Sequence, residues 1–137
     1  LLDSDGGFTR DFLKPAVLWA LKIVIAALFL IAGIAKLAGA PQLVAEFAQI
    51  GFGQWFRYLT ALIEIAGALL LLWPAFAALG ALLLVGINIG ALLAQIFALH
   101  GDVVHPIVLG ALTALLAWTH RRRAWRSFHR SIAPIDR

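Results

Sequence analysis

Cysteine is absent from the 137-residue sequence. That excludes thiolate nucleophiles, disulfide relays, iron–sulfur clusters and thiolate metal sites on this chain, and with them a disulfide-forming quinone reductase. Methionine is absent too, including at position 1, so the chain is expected to be processed or to lack its natural start. Charge is scarce: 13% of residues are charged and 63% are hydrophobic, with a mean hydropathy of +0.95, against roughly 25% charged in soluble domains. A soluble fold of this size has too little interior to hide so much apolar surface. The length suits one domain, and four apolar segments of about 20 residues use most of it, leaving no room for a separate soluble catalytic domain.

What is present falls into segments. Residues 1–15 read as a polar start and interfacial segment, with Pro15 placed where a helix opens. Residues 16–39 form a first span. Residues 41–53 are too short to cross and are two-sided, with Leu43, Phe47 and Ile50 opposite Gln42, Glu46 and Gln49; they predict a short amphipathic helix at the membrane surface. A second span covers 54–74, and a third starts almost at once near 75 and runs to about 97, so the two form an antiparallel hairpin. A loop at 99–105 leads to a fourth span ending near 119. The expected fold is all-α, a four-transmembrane-helix bundle over 16–119 followed by a basic tail at 120–137.

Polar residues inside the spans carry the chemistry. Glu64 stands near the middle of the second span, at a cost of roughly 2.5–3.5 kcal/mol on insertion scales. At 3.6 residues per turn it shares a stripe with Arg57, Thr60, Gly67 and Leu71. In the first span Lys22, Ala26, Phe29, Gly33, Lys36 and Ala40 lie on one face. Each lysine either snorkels to its nearer interface or, for Lys36, turns inward over Gly33. Asn88 in the third span matches Glu64 in depth and Gln95 matches Arg57, while Gly86, Gly90 and Ala94 form a small-residue stripe roughly opposite. Candidate proton-handling residues are therefore Glu64 and Lys36, and candidate ligand-binding residues are Arg57, Asn88 and Gln95.

The net charge of +4 comes from basic residues crowded at the C-terminal end, His120 to Arg130. In a membrane chain this pattern sets orientation and lipid contact rather than nucleic-acid binding. It places the tail in the cytoplasm, and four spans place the N-terminus there as well. Trp19, Trp73 and Trp118 then fall at the cytoplasmic interface and Trp55 at the outer one. All four histidines lie in loops or the tail, which argues against haem. His100, Asp102 and His105 share a loop, and a solvated loop outweighs a metal site there; no metal is expected. A channel or transporter normally carries an internal repeat, and none is found.

The run from Phe29 to Leu37 with Gly33 and Lys36, the turn Gly51-Phe52-Gly53, and the run from Leu62 to Pro74 with Glu64 and Gly67 resemble the DoxX/DoxX-like family of small four-helix membrane proteins, over about residues 17–119. The resemblance implies a bacterial inner-membrane component associated with electron transfer, an accessory subunit of a quinone-linked oxidoreductase more than a self-sufficient catalyst. Its redox cofactors would sit on partner chains, and quinone is the implied ligand. By motif position it carries over Lys36 and Glu64. Two readings stay open from the residues. Glu64 and Lys36 form either a proton-handling site beside a quinone or a buried pair, bridged by Asn88 or Gln95, that fixes the register of the bundle. The corresponding functions are a quinone-associated subunit and a non-catalytic scaffold of a larger membrane complex or homo-oligomer.

Overall fold

The computed structural model describes the main chain of residues 15–131 and the side chains of 15–121. The expected polar start at 1–14 and the side chains of the basic tail beyond 121 lie outside the described residues. Among the described residues five helices follow in order: α1 (Pro15–Ala38), α2 (Pro41–Ile50), α3 (Gln54–Leu72), α4 (Ala77–Ala94) and α5 (Val104–Ser131). A π-helical turn, Gln95–Leu99, prolongs α4. No strand occurs among the described residues.

Local chemistry sets the boundaries. Pro15 opens α1 and Pro41 opens α2, at positions where a missing N–H costs nothing. Gly51 ends α2 in the left-handed region (φ 91°) and its N–H returns to the carbonyl of Phe47, a helix stop that needs no Cβ. Trp73 and Pro74 end α3, and two turn hydrogen bonds, Trp73 N to Leu70 O and Phe76 N to Trp73 O, reverse the chain into α4. The last described helix, α5, begins at Val104 and runs through residue 120 to Ser131 without a break. The expected fourth span and the start of the basic tail thus lie on one helix.

The long helices pack in series, α1 on α3, α3 on α4 and α4 on α5, while α1 and α5 meet over a short stretch only. Close approach depends on glycine. A Cβ on Gly80 would fall 2.6 Å from the carbonyl oxygen of Gly67, and one on Gly33 would fall 2.7 Å from Cγ1 of Ile65. Small residues let backbones meet where an apolar solvent offers no hydrophobic drive between helices. Gly86 and Gly90, in contrast, face outward with nothing within 4 Å among the described residues, so these two glycines of the stripe expected to pack closely meet no neighbour there. Gly110 meets Asn88 instead.

The apolar core joins Leu18, Ile25, Ala26 and Phe29 of α1, Ala68 and Leu71 of α3, Ala81 and Leu84 of α4, and Leu116 of α5. It occupies the half of the bundle opposite α2. Around it the outer faces of the helices are apolar and exposed, from Ile31 and Leu62 to Leu82 and Phe97. Among the described residues three helices are long and apolar enough to cross a membrane: Pro15–Ala38, Gln54–Leu72 and Ala77–Leu99.

The amphipathic α2 lies across one end of this bundle. Its apolar face is turned onto the chain, with Phe47 buried and its ring centroid 5.9 Å from that of Phe56. Gln49 Nε2 donates to the carbonyl of Ala98 in the π-helical turn at 3.0 Å. The helix therefore caps the bundle end, tying α3 to the far end of α4.

Candidate functional site

The stripe on α3 is buried as its spacing requires: Arg57, Glu64, Gly67 and Leu71 all lie inside, with Thr60 half-buried. Thr60 hydrogen-bonds the carbonyl of Arg57 in its own helix, so it leaves the charges to one another. On α1 the face bearing Lys22, Ala26, Phe29 and Gly33 is buried as well. Gly33 lets α1 settle against Ala61 and Ile65, and one turn further along the same face Lys36 comes within reach of Glu64.

The two charges meet. Nζ of Lys36 lies 2.5 Å from Oε1 of Glu64, in a pair whose side chains are 14% and 5% exposed. Such an ion pair offsets much of the cost of placing a carboxylate in the apolar layer. Lys36 turns inward. Lys22, at the opposite end of α1, is buried too, with its ammonium 4.8 Å from the ring centroid of Trp19.

Arg57 organises the mouth of this site. Its Nη1 donates to the main-chain carbonyl of Lys36, and its Nε donates to Oε1 of Gln54 at 2.8 Å. Gln54 in turn donates from Nε2 to the carbonyl of Val44 in α2 at 3.1 Å. The last carbonyls of a helix lack partners within it, and a cation there also suits the helix dipole. Arg57 therefore caps α1 while its guanidinium carbon sits 4.4 Å from the Tyr58 ring centroid.

One atom is left over. Oε2 of Glu64 is buried and has no hydrogen-bond partner among the described residues. A buried carboxylate oxygen without a donor costs free energy, and such an atom marks a place where water or a ligand completes the structure.

The structure brings Lys36, Arg57 and Glu64 together; it does not bring Asn88 or Gln95 to them. Asn88 is buried, but its Nδ2 donates to the carbonyl of Leu84 one turn back at 2.8 Å, and its Cβ packs toward Gly110 of α5. The bridge expected from depth alone fails because α4 turns this residue toward α5. Gln95 is half-buried at the start of the π-helical turn, with Oε1 against Gly101. Sequence reasoning missed Gln54, which links Arg57 to α2. Its spacing of three from Arg57 on one helix face was the available signal.

In the loop before α5, Asp102 has a structural task. Its Oδ1 accepts from the N–H of Val104 at 2.8 Å and its Oδ2 lies 3.3 Å from Nδ1 of His105. The Val104 hydrogen bond holds the Asp102 carboxyl below its ordinary value. His100, at φ 49°, directs Nδ1 back to the carbonyl of Ile96 at 2.9 Å. These side chains serve the turn between α4 and α5.

The model of the DoxX-like family matches residues 20–119. This chain belongs to the DoxX-like family. It is a membrane protein, as its apolar helices and exposed apolar faces require. It is also similar to the uncharacterised protein YdgD of Bacillus subtilis (strain 168), with 33% identity over 91 residues, covering 64% of this chain and 80% of that one. No solved structure matches the chain. Lys36, Arg57 and Glu64 all lie within the matched segment.

Proposed function

We propose that this DoxX-like protein is an accessory membrane subunit of a quinone-linked oxidoreductase, and that the Lys36–Glu64 pair handles protons there. The observation that carries this reading is the buried, unpartnered Oε2 of Glu64 beside a committed Oε1. A carboxylate in that state offers one acceptor position in an apolar setting, which suits the hydroxyl of a quinol. When bound, a quinone supplies two-electron, two-proton chemistry. The chain's own part is to accept a proton at Oε2 and to hold the Lys36 charge next to it. Electrons pass to cofactors on partner chains.

The same reading gives the chain four spans, with α5 crossing last, in a bacterial inner membrane with both termini cytoplasmic. The basic run from His120 supports that orientation, and α2 then caps the outer end. Because the chain has no cysteine, single cysteines at Gly101 and Pro74 report sidedness without background. Gly101 is expected to label from outside and Pro74 from inside.

The test of function is Glu64→Gln in the complex isolated in mild detergent. Loss of quinol-linked turnover with an intact complex is the expected result; full turnover in the mutant sinks the quinone reading. A scaffold role is the second reading, and the outward-facing Gly86 and Gly90, with open space before them, favour it as a place for another subunit to pack. It predicts that Glu64→Gln leaves turnover intact and that bulky residues at Gly86 and Gly90 dissociate the complex.

A further inference from the structure

Glu64 lies between the polar end of the bundle, covered by α2, and the apolar core. We infer that Glu64 exchanges its proton exclusively with the face covered by α2, and that Lys36 is the group that carries it. This deepens the preceding reading and rests on it only for the use to which the proton is put.

Three observations carry the inference. Glu64 lies ten residues into α3 from Gln54, about 15 Å at helical rise, yet polar groups lead toward it from that end, the last step being the aliphatic stem of Lys36. They run from the α2 carbonyl of Val44 through Gln54 and Arg57 to the backbone of Lys36, whose ammonium touches the carboxylate. Second, exposure falls along the final step, from 14% at the Lys36 side chain to 5% at Glu64, so the lysine stands between the carboxylate and the α2 end. Third, the opposite direction is closed. Ala68 and Leu71 of α3, Ile25 and Phe29 of α1 and Leu84 of α4 are fully or almost fully buried and pack together beyond Glu64. Lys22 and His120 lie on the far side of that plug.

Among the described residues the charges that face Glu64 are few. From α1 comes Lys36, and from α3 itself Arg57, which is engaged by Gln54 and the Lys36 carbonyl. Glu46 of α2 is held by Gln42 at the surface. The sequence of α4 contains no charged residue, and along the apolar part of α5, residues 106–119, there is none either. Lysine suits the task because its long stem is flexible and its ammonium carries N–H protons at the carboxylate. The step balances simply: an N–H bond of Lys36 breaks as an O–H bond forms at Oε1 of Glu64, leaving a neutral amine and a neutral acid. The amine then takes a proton from water at the α2 face. The net result is one proton moved from that face to Glu64, and the reverse sequence releases it there.

The sequence makes a direct test available, because Glu46 and Glu64 are its only glutamates. With Glu46→Gln and carboxyl-13C glutamate, the infrared carboxyl band reports Glu64 alone and leaves it unaltered. The full chain is placed in quinone-free liposomes sorted by orientation, and a pH step is applied to the outer medium. The band is expected to respond at least about tenfold faster when α2 faces the step than when it faces the lumen. Lys36→Arg keeps a cation beside Glu64 but cannot release a proton, and it is expected to slow that response at least about tenfold; a merely structural lysine would tolerate the change. Equal rates from the two faces, a faster response from the far face, a band that never changes with pH, or wild-type rates in Lys36→Arg would each overturn the inference. None of these depends on quinone. One-sided exchange in a chain without quinol-linked turnover would leave this inference standing and remove the quinone reading alone.

Discussion

Arg57 donates from its guanidinium to the main-chain carbonyl of Lys36, the same residue whose ammonium holds Glu64. One backbone position thus joins the cap of α1 to the buried charge pair. The guanidinium does not touch the carboxylate in this arrangement; it fixes the point from which the lysine reaches inward.

Removing that cap should loosen the site. Arg57→Ala deletes donors to Gln54 and to the Lys36 carbonyl together, and hydrogen bonds from charged groups contribute about 1.5–3 kcal/mol each. A loss of about 2 kcal/mol in reversible unfolding in mixed micelles is expected. Arg57→Lys should recover only part of it, since an ammonium on a flexible stem does not reproduce the planar fork that serves both acceptors.

The Lys36–Glu64 pair should show strong non-additivity. Lys36→Met leaves a carboxylate buried without its cation, a change that costs about 3–5 kcal/mol in known cases. The double variant Lys36→Met, Glu64→Gln should lose less than Lys36→Met alone, because no charge is then stranded. A double-mutant cycle on unfolding free energy measures this, and simple additivity would contradict the pairing.

The α3–α4 crossing should be intolerant at one glycine and indifferent at another. Gly80→Ala pushes a methyl group into the backbone of α3 at Gly67, with an expected loss of about 1–3 kcal/mol. Gly86→Ala meets open space and should leave the stability of the isolated chain unchanged. Comparing their melting temperatures in detergent separates a crossing contact from a generally flexible helix.

The start of α5 should weaken in acid. The Val104 N–H holds the Asp102 carboxyl below its ordinary value, so the folded group binds its proton less readily than the unfolded one. Its contribution is therefore fully present above the ordinary aspartate range and is lost as pH falls through the lowered folded value. Amide exchange at Val104 and Ile107 is expected to speed up over that range relative to the intrinsic rate. Asp102→Asn should blunt the pH dependence while leaving the middle of α5 unaffected.

Periodicity made much of the site legible. The four-and-three spacing that put Lys22 and Lys36 on one face, and Arg57 and Glu64 on another, is a property of one helix at a time and survived into the structure. The surface helix 41–50 was equally readable from its two-sided pattern, although its apolar face covers the bundle end. Depth matching succeeded less well. Asn88 has the expected level, but level says nothing about rotation, and packing turned it toward Gly110. The stripe of Gly86 and Gly90 was read as a close-packing face, and within the chain Gly33, Gly67 and Gly80 do that work.

What the sequence determined alone was the solvent and the period: a chain too apolar for water, built of helices, with a carboxylate that had to find a cation. Which cation it found was decided by tertiary structure. Two lysines lie on the buried face of α1, and only the crossing of α1 over α3 at Gly33 selects Lys36 over Lys22. Helical spacing specifies a direction around one axis, whereas a contact between helices also needs their relative rotation and shift, and these are set by the small residues that let the backbones meet. For the same reason Oε2 of Glu64 could not be foreseen as an open acceptor. Its lack of a partner is a product of how the helices pack, not of the spacing along any one of them.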